Sequence, residues 1–118
     1  VNETYKNKIM ISSVHANIFD FPLPPGSVVL DVRTPAEHAA CALACAHILL
    51  PLDQVSAAVL KEKAQVSETT PVYVLCKAGV RARKAAELLE AEGFKNLHVI
   101  EGGLVACQQA GVPVATAA

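Results

Sequence analysis

Cys76 stands at the end of an apolar run, Val72-Tyr73-Val74-Leu75, and is followed at once by Lys77-Ala78-Gly79-Val80-Arg81. A strand that ends in cysteine and turns into a helix can hold a sulfur anion. The helix N-terminus there presents unpaired backbone N–H groups and the positive end of a dipole. In α/β sheets, sites form at the carboxyl ends of strands. Thiolate is the nucleophilic form of cysteine, and basic neighbours favour it; Lys77, Arg81 and Arg83 supply them. If the loop curls so that successive N–H groups point inward, it forms a concave anion nest, with Gly79 permitting backbone that other residues resist. The planar fork of Arg81 is placed to close that nest on an anion through charge-assisted hydrogen bonds. A sulfur that is already anionic needs no separate general base.

A cysteine that ends a core strand is often inert packing, and position alone leaves both readings open. The basic, glycine-containing loop and the helix directly behind it favour a reactive sulfur, without choosing its reaction. The other cysteines, Cys41, Cys45 and Cys107, form no CxxC pair and no disulfide framework of the kind seen in secreted domains. They are read as small packing residues, with a second, persulfide-resolving thiol as the alternative. Cys41 and Cys45 are four apart, but no His/Cys cluster completes a zinc site, so no metal and no other cofactor is expected. His15, His38, His47 and His98 are expected to be surface or hydrogen-bonded structural residues.

Several elements must position the loop. Short apolar runs alternate with helix-like segments, which argues for βαβ units and an α/β fold with a largely parallel sheet. Strands are expected over Lys8 to Ile11, Val28 to Val32, Ala46 to Leu49, Val72 to Cys76 and Asn96 to Ile100. Pro22-Leu23-Pro24-Pro25-Gly26 reads as the loop into the second strand. Thr34, Pro35 and Glu37 form the pattern of a capping box with proline in the first turn. Ala82, Ala85, Ala86 and Leu89 share one helical face over Ala82 to Glu92, with Gly93 as the stop.

The composition, 53% hydrophobic, 18% charged and 4% aromatic over 118 residues, suits one compact domain (1–118) whose core is Val, Leu, Ile and Ala. Ten basic against eleven acidic residues give a formal charge of −1, which offers nucleic acid or an anionic membrane no general attraction. Ala39 to Leu52 is interrupted by His47 and Pro51 and falls short of the ~20 residues of a membrane span. No export signal opens the chain, and a cytoplasmic setting is expected. The chain begins with Val1, which leaves room for residues ahead of it.

Three linked motifs carry a resemblance that runs from about Val28 to Val114. Asp31-Val32-Arg33-Thr34-Pro35-Ala36-Glu37, Cys76-Lys77-Ala78-Gly79-Val80-Arg81, and Gly102-Gly103 followed by Ala110-Gly111-Val112-Pro113-Val114 resemble the first signature, active-site loop and C-terminal signature of the rhodanese homology domain. The resemblance implies a rhodanese-like three-layer fold, with a five-stranded parallel sheet flanked by helices. It also implies a sulfurtransferase that takes sulfane sulfur from a small anionic donor such as thiosulfate and passes it to a thiol, cyanide or protein acceptor. By the same resemblance Cys76 is the nucleophile, Lys77, Ala78, Gly79, Val80 and Arg81 bind the substrate, and Asp31 and Arg33 brace the loop after the second strand. Gly102-Gly103 reads as a tight turn without a ligand role.

The chain departs from the family in places. Cys41-Ala42-Leu43-Ala44-Cys45-Ala46 replaces a Gly-His-Ile-Pro-Gly-Ala pattern, so both turn glycines are cysteines. A Cβ at positive φ costs about 1 kcal/mol, so a different local path or a longer helix is expected. Cys107 replaces a tryptophan, which leaves space or calls for compensation, and Ala82 stands where serine often follows the loop arginine. Two other functions compete. Cysteine-dependent phosphatases and arsenate reductases use a similar loop but place five residues between Cys and Arg, where four intervene here. Non-catalytic rhodanese-like interaction modules commonly lose the nucleophile, which is present.

Overall fold

The computed structural model describes residues 11–117. In chain order its elements are β1 (Ile11–Val14), a 3-10 turn (Ala16–Asp20), β2 (Val28–Asp31), α1 (Pro35–Ala40), β3 (Cys41–Leu43), β4 (Ile48–Leu49), a second 3-10 turn (Leu52–Gln54), α2 (Ala57–Ala64), β5 (Val72–Leu75), α3 (Val80–Ala91), β6 (Leu97–Ile100), α4 (Gly103–Gln109) and β7 (Val114–Thr116). Five strands form one parallel sheet in the order β1-β6-β5-β2-β4. β3 and β7 form a separate antiparallel pair.

The apolar run before Cys76 is continuous because β5 is central and covered on both faces. Val72, Val74 and Cys76 point into one core layer with Leu30, Val32, Leu97 and Val99. Tyr73 and Leu75 point into the other with Val29 and Ile100. α2 and α3 close the first layer, while α4 and the first 3-10 turn close the second.

α3 presents Ala82, Ala85, Ala86 and Leu89 to the sheet, all wholly buried; three small side chains let the helix axis approach closely. It stops as expected. Gly93 at φ 109 turns the chain, and the Phe94 N–H donates to Leu89 O at 3.0 Å, anchoring buried Phe94 against the helix end. The capping box of α1 is also present: Thr34 Oγ1 accepts from the Glu37 N–H, and Glu37 accepts from the Thr34 N–H.

Some boundaries move. Of the expected strand over Lys8 to Ile11, only Ile11 lies within the described residues, and the strand there runs on to Val14. Ser12 and Ser13 are tolerated in this edge strand because Ser12 pairs with His98 and hydrogen-bonds its ring. The strand expected over Ala46 to Leu49 shrinks to Ile48–Leu49. The segment with two cysteines in place of turn glycines takes a different path and not a longer helix. Cys41, at φ −162, ends α1 and begins β3, pairing with Thr116, and neither Cys41 nor Cys45 has positive φ. Cys107 is fully buried in the second core layer with Ile100, Leu104 and Val112.

Candidate active site

β5 delivers Cys76 to the carboxyl edge of the sheet, where its side chain is almost completely buried. Gly79, at φ 111, reverses the chain so that its N–H donates to Cys76 Sγ at 2.9 Å, and its carbonyl accepts from the Arg83 N–H as α3 begins. Of the five loop amides expected to face the sulfur, that of Gly79 is in hydrogen-bonding contact with it. Lys77, Ala78 and Val80 lie on the exposed side of the loop, and Arg81 is half-buried.

A second helix end shapes the loop. The N–H of Leu104 donates to Cys76 O at 2.8 Å and that of Val105 to Lys77 O at 3.2 Å. Because the two peptides are trans and planar, drawing their carbonyls to α4 turns the N–H groups of Lys77 and Ala78 away from it. The approach is possible only without a side chain at 103: a Cβ there would fall on Cys76 O and within 2.6 Å of the Lys77 carbonyl. Gly103 thus does more than permit a turn. Its signal in the sequence, the Gly102-Gly103 pair, does not reveal which backbone lies against it.

Arg81 was expected to close the loop on an anion. Its fork instead holds Glu37, with Nη1 to Oε1 at 2.7 Å and Nη2 to Oε2 at 2.9 Å. The guanidinium, with the Thr34 N–H, holds the Glu37 carboxyl down at about 2 from its ordinary 4.5, and Glu37 in turn raises the Arg81 pKa further. The sequence showed Glu37 only as a capping residue. Both side chains remain about a third exposed.

Arg33 and Asp31 brace the neighbouring segment. Both are buried, Arg33 Nη2 donating to Asp31 Oδ2 and to Cys41 O, each at 2.8 Å. The Arg33 N–H adds a bond to Asp31 Oδ1 at 3.0 Å. The pair therefore ties the end of β2 to the start of β3.

Two open clefts flank the loop. One, of about 460 Å³, is lined by Val32, Pro35, Pro51, Leu52 and Arg81 among others. The other, of about 220 Å³, includes Arg33, Glu37, Cys41, Lys77 and Leu104. Since Arg81 lines one and Glu37 the other, their ion pair stands between them. Cys41 is half-buried at the second cleft, Cys45 is exposed, and Cys107 is buried with its thiol pushed up to about 11 by burial, which keeps it protonated and a poor nucleophile.

The histidines are hydrogen-bonded. His15 Nδ1 accepts from the Asn17 N–H, and His98 bonds Ser12 and Asn96. His38 and His47 meet through their Nε2 atoms at 2.7 Å, and a carboxylate oxygen of Asp31 lies within 4.8 Å of them. That grouping was not visible in the sequence. Both Asp31 oxygens are already occupied by Arg33, so the carboxylate is poorly placed to serve a metal as well.

Residues 13–110 match the Rhodanese-like domain. The chain belongs to that family. The rhodanese-like domain of the Alr3790 protein from Anabaena shares its fold, with a TM-score of 0.75 at 20% identity over 89% of this chain and 79% of that one. A rhodanese-related protein from Thermoplasma volcanium is 29% identical, with a TM-score of 0.64 over 88% of this chain and 97% of that one. Among curated proteins, the thiosulfate sulfurtransferase GlpE of Actinobacillus pleuropneumoniae serotype 5b is 34% identical over 53 residues, 45% of this chain and 49% of GlpE. The chain spans less than half the length of the curated relatives it matches. The sheet flanked by helices is thus a rhodanese-like fold, and among the described residues no helix is long and apolar enough to cross a membrane.

Proposed function

We propose that this rhodanese-like domain is a sulfurtransferase that moves sulfane sulfur from a donor such as thiosulfate to a thiophilic acceptor through a persulfide on Cys76. The observation that carries the reading is the Gly79 N–H aimed at Cys76 Sγ inside a loop whose carbonyls are drawn outward by α4. That polarity suits a sulfur anion in a nearly water-free position. The Cys76 thiolate attacks the outer sulfur of thiosulfate, the S–S bond of the donor breaks, and sulfite departs with the electron pair. A thiol, cyanide or a cysteine on a protein then takes the outer sulfur and returns the thiolate. Lys77, Ala78, Gly79, Val80 and Arg81 form the cradle in this reading. The partial likeness to GlpE, named as a thiosulfate sulfurtransferase, supports it.

A side-by-side assay of thiosulfate:cyanide turnover and aryl phosphate hydrolysis tests the reading. Sulfur transfer with negligible hydrolysis is expected, because the carboxyl beside the loop, Glu37, is held ionised by Arg81 and has no proton to give a leaving alcohol, and the Cys76–Arg81 loop itself contains no Asp or Glu. The reverse pattern rejects it.

A further inference from the structure

The basic groups around Cys76 are nearly all engaged. Arg33 is committed to Asp31 and Cys41 O, Arg83 reaches Ser13 Oγ at 2.7 Å, and the Arg81 fork is filled on both prongs by Glu37. Glu37 is not a passing partner. It is the third residue of α1 and is held there by its own capping bonds to Thr34, so the carboxylate is presented to Arg81 by a fixed element. The fork that an anionic donor would engage is therefore already taken by a carboxylate of the chain itself.

Resting on the sulfurtransferase reading above, we infer that Glu37 is a specificity-determining residue. Its carboxylate competes with small dianionic donors for Arg81, and so biases the site toward alkyl persulfides, whose transferable sulfur is not part of a dianion. The cleft on the Arg81 side presents Val32, Pro35, Pro51 and Leu52 beside Thr34, Asp53 and Gln54, and its apolar part suits the alkyl portion of such a donor. In the step itself the Cys76 thiolate attacks the terminal sulfur of R–S–S⁻. The Cys76–S bond forms, the R–S bond to that sulfur breaks, and R–S⁻ leaves with the electron pair. Charge and sulfur balance without an oxidant. The leaving group carries one negative charge, where sulfite from thiosulfate carries two, and it has less need of a free guanidinium.

The ion pair is partly exposed, so its displacement is affordable and the bias is moderate, about fivefold. Glu37→Gln removes the charge while a glutamine at this position still completes the capping box. The test loads wild type and Glu37→Gln with two probes, thiosulfate and the persulfide of N-acetylcysteine methyl ester, and follows addition of one sulfur by intact mass. The ratio of the thiosulfate rate to the alkyl persulfide rate rises about fivefold in Glu37→Gln. In parallel, calorimetry in a Cys76→Ser background gives tighter thiosulfate binding by a similar factor once Glu37 is Gln. An unchanged or lower ratio, or equal thiosulfate affinity in the two serine backgrounds, overturns the competition. If binding tightens but neither probe loads Cys76 in either protein, the competition stands and the sulfurtransferase reading fails.

Discussion

A Cβ at position 103 would fall on the carbonyl oxygen of Cys76, because Gly103, at φ 56, opens α4 directly against the Cys76–Lys77 peptide. The Leu104 N–H bond to the same oxygen shows that this contact is bonded as well as close. Gly103→Ala must therefore move either α4 or the Cys76 loop. It is expected to lose roughly 2–4 kcal/mol in urea unfolding. Gly111 has a similar positive φ of 83 but nothing within 4 Å of its would-be Cβ, so Gly111→Ala is expected to lose only about 1 kcal/mol. Equal losses would remove the steric argument.

The Asp31–Arg33 pair is buried and fully hydrogen-bonded, so removing one member strands the other charge. Arg33→Met is expected to destabilise the domain by about 3–5 kcal/mol. Asp31→Leu combined with Arg33→Met recovers much of that loss, because no charge is then left alone. A double variant as unstable as the sum of the two single ones would show that the pair contributes more than mutual neutralisation.

The Glu37 carboxyl, held at about 2 against 4.5 when free, gives the domain an acid-dependent term. Between these values the unfolded chain binds more protons than the folded one, so the contribution is present above pH 4.5 and is lost as pH falls toward 2. Exposure of the pair limits the effect to about 1 kcal/mol. Urea midpoints measured at about pH 6 and about pH 3 should converge for wild type and Arg81→Ala at the lower pH, and differ at the higher. Parallel curves would indicate that Arg81 does not hold the carboxyl down.

Much of this architecture is legible in local pattern. The continuous apolar run of β5, the alanine face of α3 with Gly93 behind it, and the Thr34 capping box depend on neighbours a few residues apart. What the sequence does not show depends on contacts across the chain. Arg81 and Glu37 are 44 residues apart, and nothing in either motif says that one fills the other. The same holds for Gly103 against Cys76, for β3 against β7, where each strand is three residues long and gains its pairing only from the other, and for the meeting of His38 and His47. The two cysteines in place of turn glycines were a true signal of a changed path, but its form, a strand, is set by β7.

Arg81→Ala takes away the one fork in the loop and leaves the Glu37 carboxylate unopposed beside the site. Thiosulfate kcat/KM is expected to fall by roughly 1.5–3 kcal/mol, about ten- to hundredfold. Lys77→Ala is expected to do less, since its ammonium is an exposed point charge that water replaces readily. Adding Glu37→Gln to Arg81→Ala should restore part of the loss. A larger effect at Lys77 than at Arg81 would reverse these roles.

The central claim is that sulfur is carried on Cys76 and on no other cysteine. Intact mass of the protein after incubation with a sulfur donor, followed by peptide mapping of the added sulfur, tests it most directly. The account predicts one added sulfur on the peptide containing Cys76, none in Cys76→Ser, and undiminished loading in Cys41→Ala and Cys45→Ala. Sulfur retained by Cys76→Ser, or lost on replacing Cys41 or Cys45 in a protein that still folds, would contradict it.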